Sequence, residues 1–278
     1  MAKLFAVTIV VIMILSAIPI VRNTWHPVPD ISTHGQAIDD QMSETMIEAG
    51  ISFLASQFIL AWFIWKFSVS KTKSKKASSV ETVVIESKSF PGGAAGVVIA
   101  AFVLVGAEVL ALGAFGIKAW ANIYFTPPSA DAMPVQVQSG QFAFYFRYPG
   151  PDGKFGPLHP DLINEANQNI FGLDPEHDPE SKDDLVTAEM AIPVNREIRL
   201  LMHSKDVSHS FYVPALRIHQ DFVPGLDLQL HFTATKVGRY EIVCSQLCGL
   251  GHYNMRAYLS VLSQEDFDSW LKKQATLQ

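Results

Sequence analysis

The chain has 278 residues, of which 49% are hydrophobic and 17% charged, with a formal net charge of −6. Soluble proteins carry charge on roughly a quarter of their residues, so this composition excludes an ordinary soluble globule and places the apolar excess in segments. The negative balance argues against a nucleic-acid partner and leaves basic proteins open.

In chain order, residues 4–21 run without a charge between Lys3 and Arg22. A secretory signal has a core of roughly 7–15 apolar residues and a small-residue cleavage site. This run is longer and lacks Ala-x-Ala before Arg22, so it reads as a retained membrane helix or uncleaved signal over 1–22; a cleaved signal is the alternative. The next stretch, 23–48, is polar and acidic (Asp30, Asp39, Asp40, Glu44, Glu48), with Trp25 placed as an interfacial anchor. A second uncharged run, 49–65, is close to the shortest that crosses a hydrocarbon core of about 30 Å. Residues 66–88 then carry Lys66, Lys71, Lys73, Lys75, Lys76 and Lys88 against Glu81 and Glu86. Lysine-rich short loops stay in the cytoplasm.

A third apolar run, about 91–117, brings the chain back out. Glu108 interrupts it. An acid there either faces a packed neighbour or sits near the headgroups. Residues 23–126 are therefore expected to form a transmembrane hairpin with an acidic outer loop and a lysine-rich cytoplasmic loop. With 1–22 this makes three spans.

After Thr126-Pro127-Pro128 the composition changes, and 127–278 is expected to be a domain on the outer face. Short β-rich segments recur at 135–137, 142–148, 198–203, 209–213, 226–232, 240–244 and 256–261, punctuated by Gly, Pro and Asp. That spacing predicts an antiparallel sandwich or barrel. Residues 150–184 form a long acidic insertion, expected to be mostly loop. Ser263-Gln264-Glu265-Asp266 resembles a capping box, and Phe267, Trp270 and Leu271 share one face of a short C-terminal helix. From Pro127 on, twelve Lys and Arg stand against nineteen Asp and Glu. Much of that acid lies in the insertion, as a solvated loop or as a field that steers a basic partner.

The chemistry concentrates in Cys244-Ser245-Gln246-Leu247-Cys248-Gly249-Leu250-Gly251-His252-Tyr253-Asn254-Met255, which holds both cysteines of the chain. Two thiolates, an imidazole and a thioether in twelve residues are what copper selects over harder metals. Gly249 and Gly251 are expected to let the backbone fold the later ligands back toward the first. A small disulfide, or a Cys2His2 zinc site completed by another histidine, stays open beside copper. His209, in Asp206-Val207-Ser208-His209-Ser210-Phe211, is one candidate for the missing donor; His203, His219 and His231 read as structural.

Asp-Val-x-His-Ser, Val213-Pro214, Pro224-Gly225 and Cys-Ser-x-x-Cys-Gly-x-x-His-x-x-Met together resemble subunit II of the haem–copper cytochrome c oxidases. The likeness is strong over roughly 190–275 and looser through the membrane hairpin. It implies a cupredoxin-like domain holding a binuclear copper A centre. In it Cys244 and Cys248 bridge two coppers, His209 and His252 cap one each, and Met255 and the Gln246 backbone carbonyl complete them. It also implies a haem–copper subunit I and other oxidase subunits as partners, a separate cytochrome c as donor, and a bacterial inner membrane with the copper domain on the periplasmic face. The family usually has Glu where Gln246 stands; the neutral side chain counts against the magnesium ion found there at the subunit I interface. The family's surface tryptophan for electron input corresponds to Phe142, with Tyr145 as a second candidate. Glu81 is the candidate for a proton-path glutamate. The alternatives are a tethered copper-binding or copper-delivery protein, and a quinol oxidase subunit II-like protein, a branch that lacks the copper ligands.

Overall fold

The computed structural model describes residues 2–22, 27–66 and 93–275. Trp25, Glu81 and most of the lysine-rich loop lie outside them. The chain divides into two compact units, Met1–Pro27 with Asp40–Ile117, and Val28–Asp39 with Lys118–Gln278.

The apolar runs form helices α1 (Ala2–Val21), α2 (Gly35–Lys66) and α3 (Gly93–Tyr124). Over most of their apolar length these helices turn large side chains outward, among them Phe53, Phe58, Phe102 and Leu110. A soluble helix would bury such a face. Gly35–Lys66 and Val98–Tyr124 are long and apolar enough to cross a membrane. Two of the three expected spans are thus supported by length. Within this unit α1 and α2 line an apolar groove of about 260 Å³ between Val7, Val11, Phe58 and Trp62. Glu108 is half-buried on α3.

The second unit is a sandwich of two five-stranded sheets. One has the order β3 (Leu185–Thr187), β2 (Ala143–Tyr148), β1 (Met133–Gly140), β5 (Glu197–Ser204), β8 (Leu228–Thr233). The other has the order β4 (Met190–Pro193), β10 (Arg256–Leu262), β9 (Gly238–Val243), β6 (His209–Val213), β7 (Ile218–Phe222). Period-2 alternation fills the space between them: Ile198, Leu200 and Met202 from β5 and Ala257, Leu259 and Val261 from β10 are all buried in one core. The sheets are mixed, not antiparallel throughout, because β1 pairs parallel with β5 and β4 parallel with β10. Parallel pairing needs a long crossover, and the 149–196 stretch supplies one.

That stretch is less of a free loop than its composition suggests. Ile170 and Phe171 are buried, and the Gln138 side chain on β1 donates to the Ile170 carbonyl at 2.7 Å. Arg147 on β2, fully buried, donates to Asp184, to Gln136 Oε1 at 3.0 Å and to the Gly156 carbonyl at 2.6 Å. The insertion thereby covers the outer face of β1 and β2, whose polar residues are turned to hold it. Strands β3, β4 and β7 are too short or too polar to stand out in the sequence.

Two further pieces close the sandwich. Helix α4 (Gln264–Ala275) begins where the Ser263 hydroxyl accepts from the Asp266 N–H at 3.0 Å, and it packs Phe267 and Trp270 against the core. The segment before α2 docks alongside β8: Ile31 is buried, Ile31 N–H donates to the Ala215 carbonyl, and Thr235 N–H donates to the Ile31 carbonyl at 2.7 Å. Arg217 adds a two-point ion pair with Asp39 at 2.7 and 2.9 Å.

Candidate metal centre

The centre is built where the β9–β10 loop meets the start of β6. His209 opens β6 and is fully buried. Its Nδ1 lies 3.9 Å from Cys244 Sγ, and its Nε2 is 2.8 Å from Asp206 Oδ1. One ring nitrogen is thus held by a carboxylate while the other faces the sulfurs, the arrangement that orients metal-binding histidines.

Cys244 follows the end of β9 and Met255 precedes β10; the backbone bond from Cys244 N–H to the Met255 carbonyl, 3.1 Å, closes the loop between them. The sulfurs of Cys244 and Cys248 are 3.9 Å apart, and both thiols are free and buried. A disulfide needs about 2.05 Å, so that reading does not describe this site. Cys248 Sγ is also 3.6 Å from His252 Nδ1 and 3.7 Å from Met255 Sδ, while Cys244 Sγ lies 3.2 Å from the Gln246 carbonyl oxygen. His209, Cys244 and Cys248 together form a buried group able to hold a metal ion. Burial, and then the neighbouring Cys244, pushes the Cys248 thiol up to about 11. A metal would have to displace that proton, because thiolates and not thiols are ligands.

Every donor singled out in the sequence therefore converges here. His203, His219 and His231 instead face Asp227, Asp221 and Glu197. Phe142 lies in the turn between β1 and β2, 41% exposed, with its ring laid against the ligand loop. Tyr145 is half-buried in a small cleft shared with Phe142, Glu165 and Lys205.

The glycines have different jobs from the one expected of both. Gly249 has φ +135°, a backbone region that favours glycine. Gly251 has an ordinary φ of −88°, but a Cβ there would sit 2.5 Å from Cγ of Phe142. It is small to admit that ring.

Two residues of the site carried little sequence signal. Asp206 stands three before His209, a spacing visible in the motif but common in turns. Burial opposes its charge, yet hydrogen bonds from His209 and from the Gln141 and Val207 N–H groups hold its carboxyl below the usual carboxylate range. Gln141 belongs to another sheet, and nothing in its local sequence marks it. The loop also turns Leu247, Leu250 and Tyr253 almost fully outward.

Residues 177–261 match the family described as cytochrome c oxidase subunit II, periplasmic domain. The chain is 28% identical to the crystallised periplasmic domain of subunit II of cytochrome oxidase from Bradyrhizobium japonicum, covering 54% of this chain and 98% of that one with a TM-score of 0.40. It is 29% identical over 174 residues to cytochrome c oxidase subunit 2 of Cereibacter sphaeroides, 59% of this chain and 56% of that protein. The likeness to the alternative cytochrome c oxidase subunit 2 of Bradyrhizobium diazoefficiens runs through the helices as well as the sandwich, at 31% identity over 254 residues, 91% of this chain and 84% of the relative. On that extent of shared sequence, the chain belongs to the cytochrome c oxidase subunit II family.

Proposed function

We propose that this chain is the electron-input subunit of a membrane-bound haem–copper oxidase, with two coppers held by His209, Cys244, Cys248, His252, Met255 and the Gln246 carbonyl. One observation carries the proposal: six donors divide into two sets about a pair of unbonded sulfurs. His209 and the Gln246 carbonyl lie beside Cys244, and His252 and Met255 lie beside Cys248. A single structural zinc takes four donors and has no use for a thioether. Two soft ions would use all six donors, Cys244 and Cys248 among them. Such a pair would supply one-electron exchange with the charge spread over both metals.

The chain's own residues do the rest. Asp206 keeps the His209 ring turned so that Nδ1 faces the sulfurs. Met255 is buried beside Cys248. Phe142, in contact with the loop and partly exposed, is the proposed point of electron input, with Tyr145 beside it. The acidic insertion, through Asp174, Glu176, Asp178 and Glu180, favours a basic donor such as cytochrome c, raising the rate of encounter more than the affinity. Leu247, Leu250 and Tyr253 give the loop an apolar crown of the kind a partner subunit covers. The copper domain is proposed to lie on the periplasmic face of a bacterial inner membrane, with α1 as a third span, subunit I as electron acceptor, and Glu81 on a proton path. Gln246 offers no charge for a magnesium ion.

The test is electron paramagnetic resonance of the copper-loaded full chain in detergent. One electron shared by two coppers gives a many-line hyperfine pattern, which Cys248→Ser should abolish. A four-line or silent spectrum would sink the binuclear reading. Copurification with a haem-bearing membrane subunit separates the oxidase role from tethered copper delivery, which predicts a chain that purifies alone and exchanges copper readily.

A further inference from the structure

We infer that Gln141 is a positioning residue for the metal centre, locking Cys248 and His209 into one frame; this rests on the copper reading above. The two ligands belong to the sheet that contains β6, β9 and β10, whereas Gln141 lies between β1 and β2 of the opposite sheet. Its side-chain amide donates a hydrogen bond to the Cys248 carbonyl. Its backbone N–H donates to Asp206 Oδ2 at 2.8 Å, and the other oxygen of that carboxylate meets His209 Nε2 at 2.8 Å. One residue thus reaches one ligand through its side chain and the other through its backbone.

The contact with Cys248 falls next to a glycine. The next residue, Gly249, has φ +135°, so the peptide plane joining the two is not fixed by ordinary side-chain sterics. A Cβ on Gly249 would come within 2.7 Å of Gln141 Nε2, which shows how tightly the amide is set against that plane. Holding the carbonyl fixes the plane, and the plane sets where Cys248 Sγ stands relative to Cys244 and His252. Gln141 is itself exposed, so a core-packing role does not explain its placement. Outer partners of metal ligands are typically worth about 10- to 100-fold in metal affinity.

The experiment compares the full chain in detergent with Gln141→Leu and Gln141→Glu. Both variants keep the backbone N–H to Asp206, and glutamate also keeps the length of the side chain. Leucine removes the donor; glutamate sets a carboxylate against the carbonyl. Three quantities are read: melting of the metal-free protein, copper retention against a competing chelator, and the hyperfine pattern of the loaded protein. The expected result is copper affinity lowered about tenfold in Gln141→Leu and further in Gln141→Glu, with altered hyperfine splitting and metal-free melting close to the parent. Parent-like affinity and spectrum in both variants would overturn the inference. So would a loss of copper matched by an equal loss of metal-free stability, which marks a merely structural residue. A parent chain without the shared-electron pattern would instead overturn the copper reading, and this inference with it.

Discussion

Gly251→Ala tests the proposed electron input at Phe142 separately from the metal centre. A Cβ at this position would lie 2.5 Å from Cγ and Cδ2 of Phe142 and 2.9 Å from Cε2, closer than packed carbons approach. The backbone of Gly251 is ordinary, so the substitution adds no φ strain, and all of the misfit falls on the ring. Phe142 is 41% exposed and can swing outward. An off-rotamer ring costs about 0.5–1.5 kcal/mol, and the lost contact adds on the order of 1 kcal/mol. The expected outcome is a destabilisation of about 1.5–2.5 kcal/mol, copper bound as in the parent, and slower reduction of the centre by cytochrome c in stopped-flow measurements. Gly249→Ala is the control. There the added Cβ meets Gln141 at 2.7 Å on a backbone with φ +135°, so copper binding itself should suffer. Unchanged reduction kinetics in Gly251→Ala would refute Phe142 as the input. Loss of the copper signal in both variants alike would refute the division of labour between the two glycines.

Other consequences are open to direct measurement. Asp184→Asn leaves the buried Arg147 guanidinium without its counter-charge, and breaking a buried pair costs about 3–5 kcal/mol; denaturant melts should show a loss of that order, with release of the insertion detected by proteolysis. Burial holds His34 below the usual imidazole range, and its Nε2 is buried without a hydrogen-bond partner. The unfolded chain takes up that proton more readily, so the stability from neutral His34 is present above about pH 6.5 and is lost as pH falls from there toward the lower native value. His34→Gln should flatten this part of the stability–pH curve; an unchanged slope would refute it. Ser263→Ala removes the cap of α4 and should cost about 1 kcal/mol, read as a lowered melting temperature with an unaltered copper spectrum.

The parts of the fold legible in the sequence are those whose signal is local. Eighteen uncharged residues, a cap at Ser263 and the alternation of Ile198, Leu200 and Met202 each announce an element within a few positions of themselves. The parallel pairing of β1 with β5 leaves no such trace, because its register is set by a crossover of some fifty residues between them. The insertion misleads for the same reason. Its Pro, Asn and Asp are loop residues by any local rule, yet Arg147 and Gln138, placed earlier in the chain, supply the bonds that fix it.

The metal centre divides along the same line. Cys244, Cys248, His252 and Met255 sit on one loop, so their spacing marks them as candidate donors, with a disulfide or zinc left open, whereas the Gln246 carbonyl comes from the resemblance. His209 is 35 residues away in sequence; the resemblance, and not periodicity, picks it out from four histidines on neighbouring strands. Gln141 stands 107 residues before the carbonyl that it holds, and the opposite sheet is what brings it there. Ligands can be read from a loop because the metal selects atom types. The residues that aim those ligands are selected only by position, and position is known once the two sheets are packed. An exposed glutamine, bonded through both its side chain and its backbone to the same site, is how such a residue becomes visible.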